Sequence, residues 1–259
     1  MTSDGNEMTF WDHLESLRWS LVRVCIALAA VFAVILSFLP KVFDKFILGA
    51  TKADFFFYRW IGFLPYFNGN EFNVDIININ VASQFLTHMS TSLWLALLVV
   101  FPYLIFELWL FIRPALYENE KKGIRTAFLS GTALFYIGCA VGYCIIFPVT
   151  FRFLTQYQLG ESIVNQISLN SYITNFLSII FIIGLVFELP VLLRILSDFG
   201  LVTKSFLKKY RRHAIVILMV LAAVITPSGD PFTLMIVFLP LYLLYELSIL
   251  VVRNDAEKD

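Results

Sequence analysis

Glu188, an acid inside an apolar run, is the residue in this chain best placed to do chemistry. The stretch Phe176 to Leu196 holds no other charge until Arg194, near its end. At depth in a bilayer a charged side chain costs at least about 2.5–3.5 kcal/mol, and such residues face a bundle interior and a partner. Pro190 follows in Phe187-Glu188-Leu189-Pro190. Proline has no N–H, so a carbonyl one turn earlier, near Val186, loses its helical partner. Acid and freed carbonyl together predict one polar spot in an otherwise apolar helix, able to hold a proton or receive a polar partner.

Further acids cluster near the ends of apolar stretches. Glu118 and Glu120 lie in Phe111-Ile112-Arg113-Pro114-Ala115-Leu116-Tyr117-Glu118-Asn119-Glu120-Lys121-Lys122, where Pro114 ends a helix. Taken alone, acids beside lysines at an interface form solvated ion pairs of little weight. Glu107, one turn before Phe111, is expected to snorkel to the headgroups. For Glu246 snorkelling and an internal hydrogen bond stand equal. Trp11 to Arg18 reads as an amphipathic helix with Leu14, Leu17 and Leu21 on one stripe. Thr226-Pro227-Ser228-Gly229-Asp230-Pro231 consists of turn formers. Gly138 and Gly142 form a small-xxx-small face suited to close helix packing.

These residues must be held by membrane helices. The chain of 259 residues is 59% hydrophobic and only 15% charged, with a mean hydropathy of +0.80. Soluble domains run at about 45–50% apolar and about 25% charged. The expected class is an all-α integral membrane protein with six transmembrane helices. The spans fall at 21–39, 93–112, 128–149, 173–196, 214–226 and 232–252, with a long outer loop at 40–92, in a single transmembrane domain over 1–259. Span five is short, so spans five and six either form a re-entrant hairpin or cross a thinned region; basic residues on both flanks favour two crossings. The aromatic patch 55–67 is expected to be an interfacial helix or lid at headgroup level.

Charge placement sets the orientation. With the N-terminus inside, only Lys41, Lys45, Lys52, Arg59 and Arg152 of the 19 Lys and Arg fall outside. The positive-inside rule is then satisfied with both termini cytoplasmic. Residues 1–17 carry acids but no Lys or Arg, the wrong sign for a cleavable signal. Cys25, Cys139 and Cys144 all lie in apolar stretches and read as small buried hydrophobes. The zero net charge gives no reason to expect nucleic acid. Neither a phosphate loop, a nucleophile elbow nor a zinc motif occurs, so no enzyme, cofactor or metal is expected.

Taken together and in order, the motifs resemble the TatC family, the polytopic signal-recognising subunits of the twin-arginine protein translocase. His13 to Arg18 is similar to the family's HLEELR, and Phe111 to Lys122 to its FxxPALYxxE(R/K) loop. Phe135-Tyr136-Ile137-Gly138 with Phe147-Pro148 resembles its third span, and Phe187 to Pro190 its FExP. Thr226-Pro227 with Asp230-Pro231, then Pro240 to Glu246, resembles its last hairpin. The resemblance implies a glove-shaped bundle in the bacterial cytoplasmic (inner) membrane, N-in and C-in. It implies a homo-oligomer within a receptor complex, with single-span translocase subunits as partners and twin-arginine signal peptides of exported proteins as ligands.

The resemblance also implies site residues. Glu120 maps to a docking acid, with Phe111, Pro114 and Leu116 beside it; guanidinium forks pair well with carboxylates. The second Glu of HLEELR is Ser16 here, with Glu15 adjacent and Arg18 closing the motif. One docking acid is therefore missing or displaced, and Glu107 or Glu15 is a candidate replacement. Glu188 with Pro190 maps to an intramembrane polar contact for partner subunits, and Pro227 with Asp230 to the outer turn. The competing reading is a proton-coupled secondary transporter using Glu188. It calls for a second midplane polar site and an internal repeat, and the sequence displays neither.

Overall fold

The computed structural model describes residues 10–60, 72–112, 118–160, 165–226 and 229–252. Helix α1 runs from Phe10 to Val42 without interruption. The sequence suggested an amphipathic piece followed by a span. No glycine lies between them and Pro40 comes only in the last turn, so nothing divides the helix. Of the leucine stripe, Leu17 is half-buried. Leu14 and Leu21 are exposed, while Ser20 is buried and Ser16 half-buried. Lipid is as apolar as leucine, so a membrane helix keeps its small polar residues for the helix contact.

Helix α3, Ser83–Ile112, packs antiparallel along α1; a short helix α2, Phe56–Trp60, lies between them in sequence. Prolines in both long helices free a carbonyl one turn back. Pro40 frees the Leu36 carbonyl, and His88 of α3 hydrogen-bonds it through Nε2 at 2.8 Å. Pro102 frees the Leu98 carbonyl, and the Tyr136 hydroxyl donates to it at 3.0 Å. Each broken ladder is thus mended by a side chain from a neighbouring helix, as a medium without water requires.

Tyr136 belongs to α4, Glu118–Val141, which passes through a π-helical turn at Gly142–Ile146 into α5, Phe147–Gln156. The Gly138/Gly142 face packs on α6, Leu169–Val186. A Cβ on Gly138 would lie 3.0 Å from the Gly184 Cα, and one on Gly142 would lie 3.1 Å from the Ile180 Cα. Phe135 is fully buried beside this contact and stacks on Phe101, with ring centroids 3.5 Å apart.

The connection between α1 and α3 folds against α5 and α6. Strand β1, Ile76–Ile77, pairs in parallel with β2, Ile167–Ser168. In the described part of the patch 55–67, helix α2 leaves Phe56 exposed and turns its neighbours inward. Phe55, Phe57 and Tyr58 are buried, and the Tyr58 hydroxyl donates to the carbonyls of Ala50 at 2.9 Å and Pro148 at 3.1 Å. Burial pushes the Tyr58 phenol well above its usual range. The rings gather around Arg152, expected in an outer loop but 1% exposed. Its guanidinium lies 5.1 Å from the Tyr58 ring centroid and 4.9 Å from that of Phe72. A desolvated cation is stabilised by aromatic faces, so the rings turn inward.

Beyond α6 the chain breaks at Phe187 and Glu188, then continues as α7, Leu189–Asp198, with Pro190 in its first turn. The span expected at 173–196 lies within one apolar segment long enough to cross a membrane, Leu169–Asp198, interrupted at this break. Helix α8, Lys204–Lys209, leads to α9, Arg211–Ile225, and α10, Pro231–Val251. Among the described residues five helical segments are long and apolar enough to cross a membrane: Leu14–Thr51, Ser83–Phe111, Phe128–Gln156, Leu169–Asp198 and Pro231–Val251. Helix α9 has 15 residues, about 22 Å of helix.

Candidate functional site

Two polar places stand out in this apolar frame. The first joins α1 to α3. Glu107 is buried. It accepts from Arg23 Nε at 2.8 Å through Oε1 and from Arg23 Nη2 at 2.7 Å through Oε2. The Tyr103 hydroxyl donates to Oε1 at 2.8 Å, and Arg23 Nη2 also donates to Ser20 Oγ at 3.1 Å. Glu107 therefore does not snorkel. A fork-shaped cation reaches it from the next helix, and a bidentate pair removes the reason to seek water.

Because α1 and α3 are antiparallel, both continue past this pair toward the same end. Ser16 lies about 10 Å further along α1 and Phe111 about 6 Å further along α3, by helical rise. Glu15 and Arg18 are exposed there, and Ser16 and Phe111 are half-buried. Glu120 is in the first turn of α4, and its side chain lies outside the described residues. Pro114 and Leu116 also lie outside them, as does Pro227. The geometry thus sends the 13–18 segment and the end of α3 to one place.

The second polar place is Glu188. It is half-buried at the α6–α7 break, and its Oε1 has no hydrogen-bond partner. Its Oε2 rests on the bare backbone of Gly131 in α4, where a Cβ would come within 2.7 Å. The break supplies irregular backbone beside it. The Glu188 amide donates to the Leu185 carbonyl at 3.1 Å, three residues back rather than four.

At the other acids the structure is more ordinary. Glu246 accepts from Arg211 Nη2 at 2.6 Å, joining α10 to α9. That settles the choice left open for it in favour of an internal contact. Asp230 caps α10, accepting from the Thr233 amide at 2.8 Å. No three His, Cys, Asp or Glu among the described residues come together as a metal site. Sequence reasoning missed Arg23, Ser20, Tyr103, Gly131 and Arg211. The spacing of Ser16, Ser20 and Arg23 on one helical face, and of Tyr103 one turn before Glu107, was the available signal.

A sequence model of the Sec-independent protein translocase protein (TatC) family matches residues 12–240. The chain belongs to the TatC family. The TatC protein of Blattabacterium sp. subsp. Periplaneta americana is 33% identical over 257 residues, covering 96% of both chains. That of Desulforapulum autotrophicum is 31% identical, covering 100% of this chain and 89% of its own. A crystal structure of the twin-arginine translocase receptor TatC superposes with a TM-score of 0.73 at 28% identity, over 92% of this chain and 97% of that one. As a TatC protein, this is a protein translocase component with membrane-spanning helices.

Proposed function

We propose that this chain is the core receptor subunit of a twin-arginine translocase in the bacterial inner membrane. In this reading it crosses six times with both termini cytoplasmic, α9 being a short crossing beside α10. Twin-arginine signal peptides dock where the start of α1 meets the end of α3, with Glu120 as the principal acid and Phe111, Pro114 and Leu116 around it. Glu15, exposed on α1, is the better candidate for the second carboxylate, because both oxygens of Glu107 already serve Arg23. Single-span partner subunits dock at Glu188, and copies of the chain assemble in the receptor complex. The proton gradient drives export.

The observation that carries the reading is the joint arrival of the 13–18 segment and the end of α3 at one end of an antiparallel helix pair. An incoming guanidinium would meet carboxylates beside apolar surroundings, where a charge pair is less screened than in water. Glu188 fits partner docking better than proton carriage, since no second unpartnered acid of comparable burial continues a path from it among the described residues. Equilibrium binding of a twin-arginine peptide to the chain in nanodiscs tests the assignment. Loss with Glu120→Ala and with Glu15→Gln is expected; wild-type affinity in both would contradict it.

A further inference from the structure

Helix α1 carries one half of the proposed docking surface, yet the rest of the bundle holds it almost entirely through α3. Along that apolar contact two polar clasps occur among the described residues, one toward each end. Near the α2 side His88 holds the Leu36 carbonyl. Toward the docking end Arg23 holds Glu107 with both prongs of its guanidinium.

We propose that Arg23 is a positioning residue for signal recognition: its bidentate pair with Glu107 fixes the 13–18 segment of α1 against the end of α3. This rests on the receptor reading given above. The first argument is the fork. A carboxylate gripped at two points fixes both the distance and the rotation of α1, whereas an ammonium would fix only a distance. The second is the unequal burial of the partners. The Glu107 side chain is 5% exposed and that of Arg23 47% exposed. The acid is the fixed half, further held by the Tyr103 hydroxyl, and the arginine is the arm that comes to it. The third is the penalty for letting go. If α1 moved away, Glu107 would lose its cation and keep only the Tyr103 hydroxyl as a partner, which is unfavourable for a buried acid. Ser20, beside Arg23 on the same face, accepts a further hydrogen bond and limits the arm's rotation.

The test reads geometry and recognition separately. Spin labels are placed at Trp19→Cys and Leu110→Cys, both exposed positions, in the full chain with Cys25, Cys139 and Cys144 replaced by serine. Twin-arginine peptide affinity is measured on the same variants without labels. Arg23→Gln and Glu107→Gln are each expected to broaden the label distance and to weaken peptide binding about three- to thirtyfold, the usual range for coupling through intervening residues. Arg23→Lys keeps the charge without the fork and should fall between. The exchange Arg23→Glu with Glu107→Arg should restore both readouts. Should the exchange not fold, Arg23→Gln combined with Glu107→Gln should be milder than Arg23→Gln alone, because no acid is then left unpaired. Tighter peptide binding in Arg23→Gln would overturn the proposal, making Arg23 a competitor for Glu107. So would altered label distances with unchanged affinity. Absence of binding by the unsubstituted chain would overturn the receptor reading itself, whereas unaltered label distances in Arg23→Gln would defeat the clasp alone.

Discussion

The Glu188 carboxylate rests on the backbone of Gly131: a Cβ at position 131 would come within 2.7 Å of Glu188 Oε2. An acid at a helix break is thus seated against a bare stretch of the neighbouring helix. The contact is with the far end of a flexible side chain, so it can yield without disturbing backbone.

Gly131→Ala should therefore leave thermal stability nearly unchanged while moving the Glu188 carboxylate off its seat. Crosslinking of position 188 to a single-span partner subunit is expected to fall, approaching the level of Glu188→Ala. Unchanged crosslinking in Gly131→Ala would show that the seat has no part in partner docking.

Gly184 gives the opposite case. A Cβ there would meet Cys139 Sγ at 2.5 Å and the Phe135 ring at 2.9 Å. Phe135 is stacked on Phe101 and cannot retreat. Gly184→Ala should destabilise by about 1–3 kcal/mol, the usual cost of overpacking, read as a lower melting temperature in detergent. Gly160, with nothing within 4 Å, is the control, and its alanine variant should melt with the wild type.

Arg152 holds the α1–α3 connection through Tyr58 and Phe72. Arg152→Ala removes a desolvated cation from two rings, each such contact being worth about 2 kcal/mol. Limited proteolysis should then cut within residues 43–82 at protease levels that leave the wild type intact. Equal resistance would mean that β1–β2 pairing and apolar packing hold this segment alone.

Asp230 accepts from the Thr233 amide at the start of α10. Asp230→Ala should cost about 0.5–2 kcal/mol, as loss of an N-cap does. Asp230→Asn should recover most of the loss in the same thermal melt, because the asparagine oxygen can still cap. No recovery would assign Asp230 a role beyond capping.

Much of this was legible because hydropathy and proline act locally. Apolar runs of span length marked the five long helices, and Pro190 announced the break beside Glu188. The family resemblance rested on ordered motifs, and the match over residues 12–240 agrees with it. The pairings were not legible, since they join distant segments. Nothing near Glu107 in sequence points to Arg23, 84 residues away. Nothing near Arg152 points to Tyr58 or Phe72, so it read as a charge in an outer loop. Strands β1 and β2 have two residues each and carry no periodicity to detect. The stripe of Leu14, Leu17 and Leu21 marked a helix but not which of its faces would meet α3.

The central claim is that the end shared by α1 and α3 receives twin-arginine signals. A photoreactive residue at position 120, presented with a twin-arginine signal peptide and with its Lys-Lys variant, tests it most directly. The account predicts crosslinking to the first, loss with the second, and loss of binding in Glu120→Ala. Equal crosslinking to both peptides, or none to either, would contradict it.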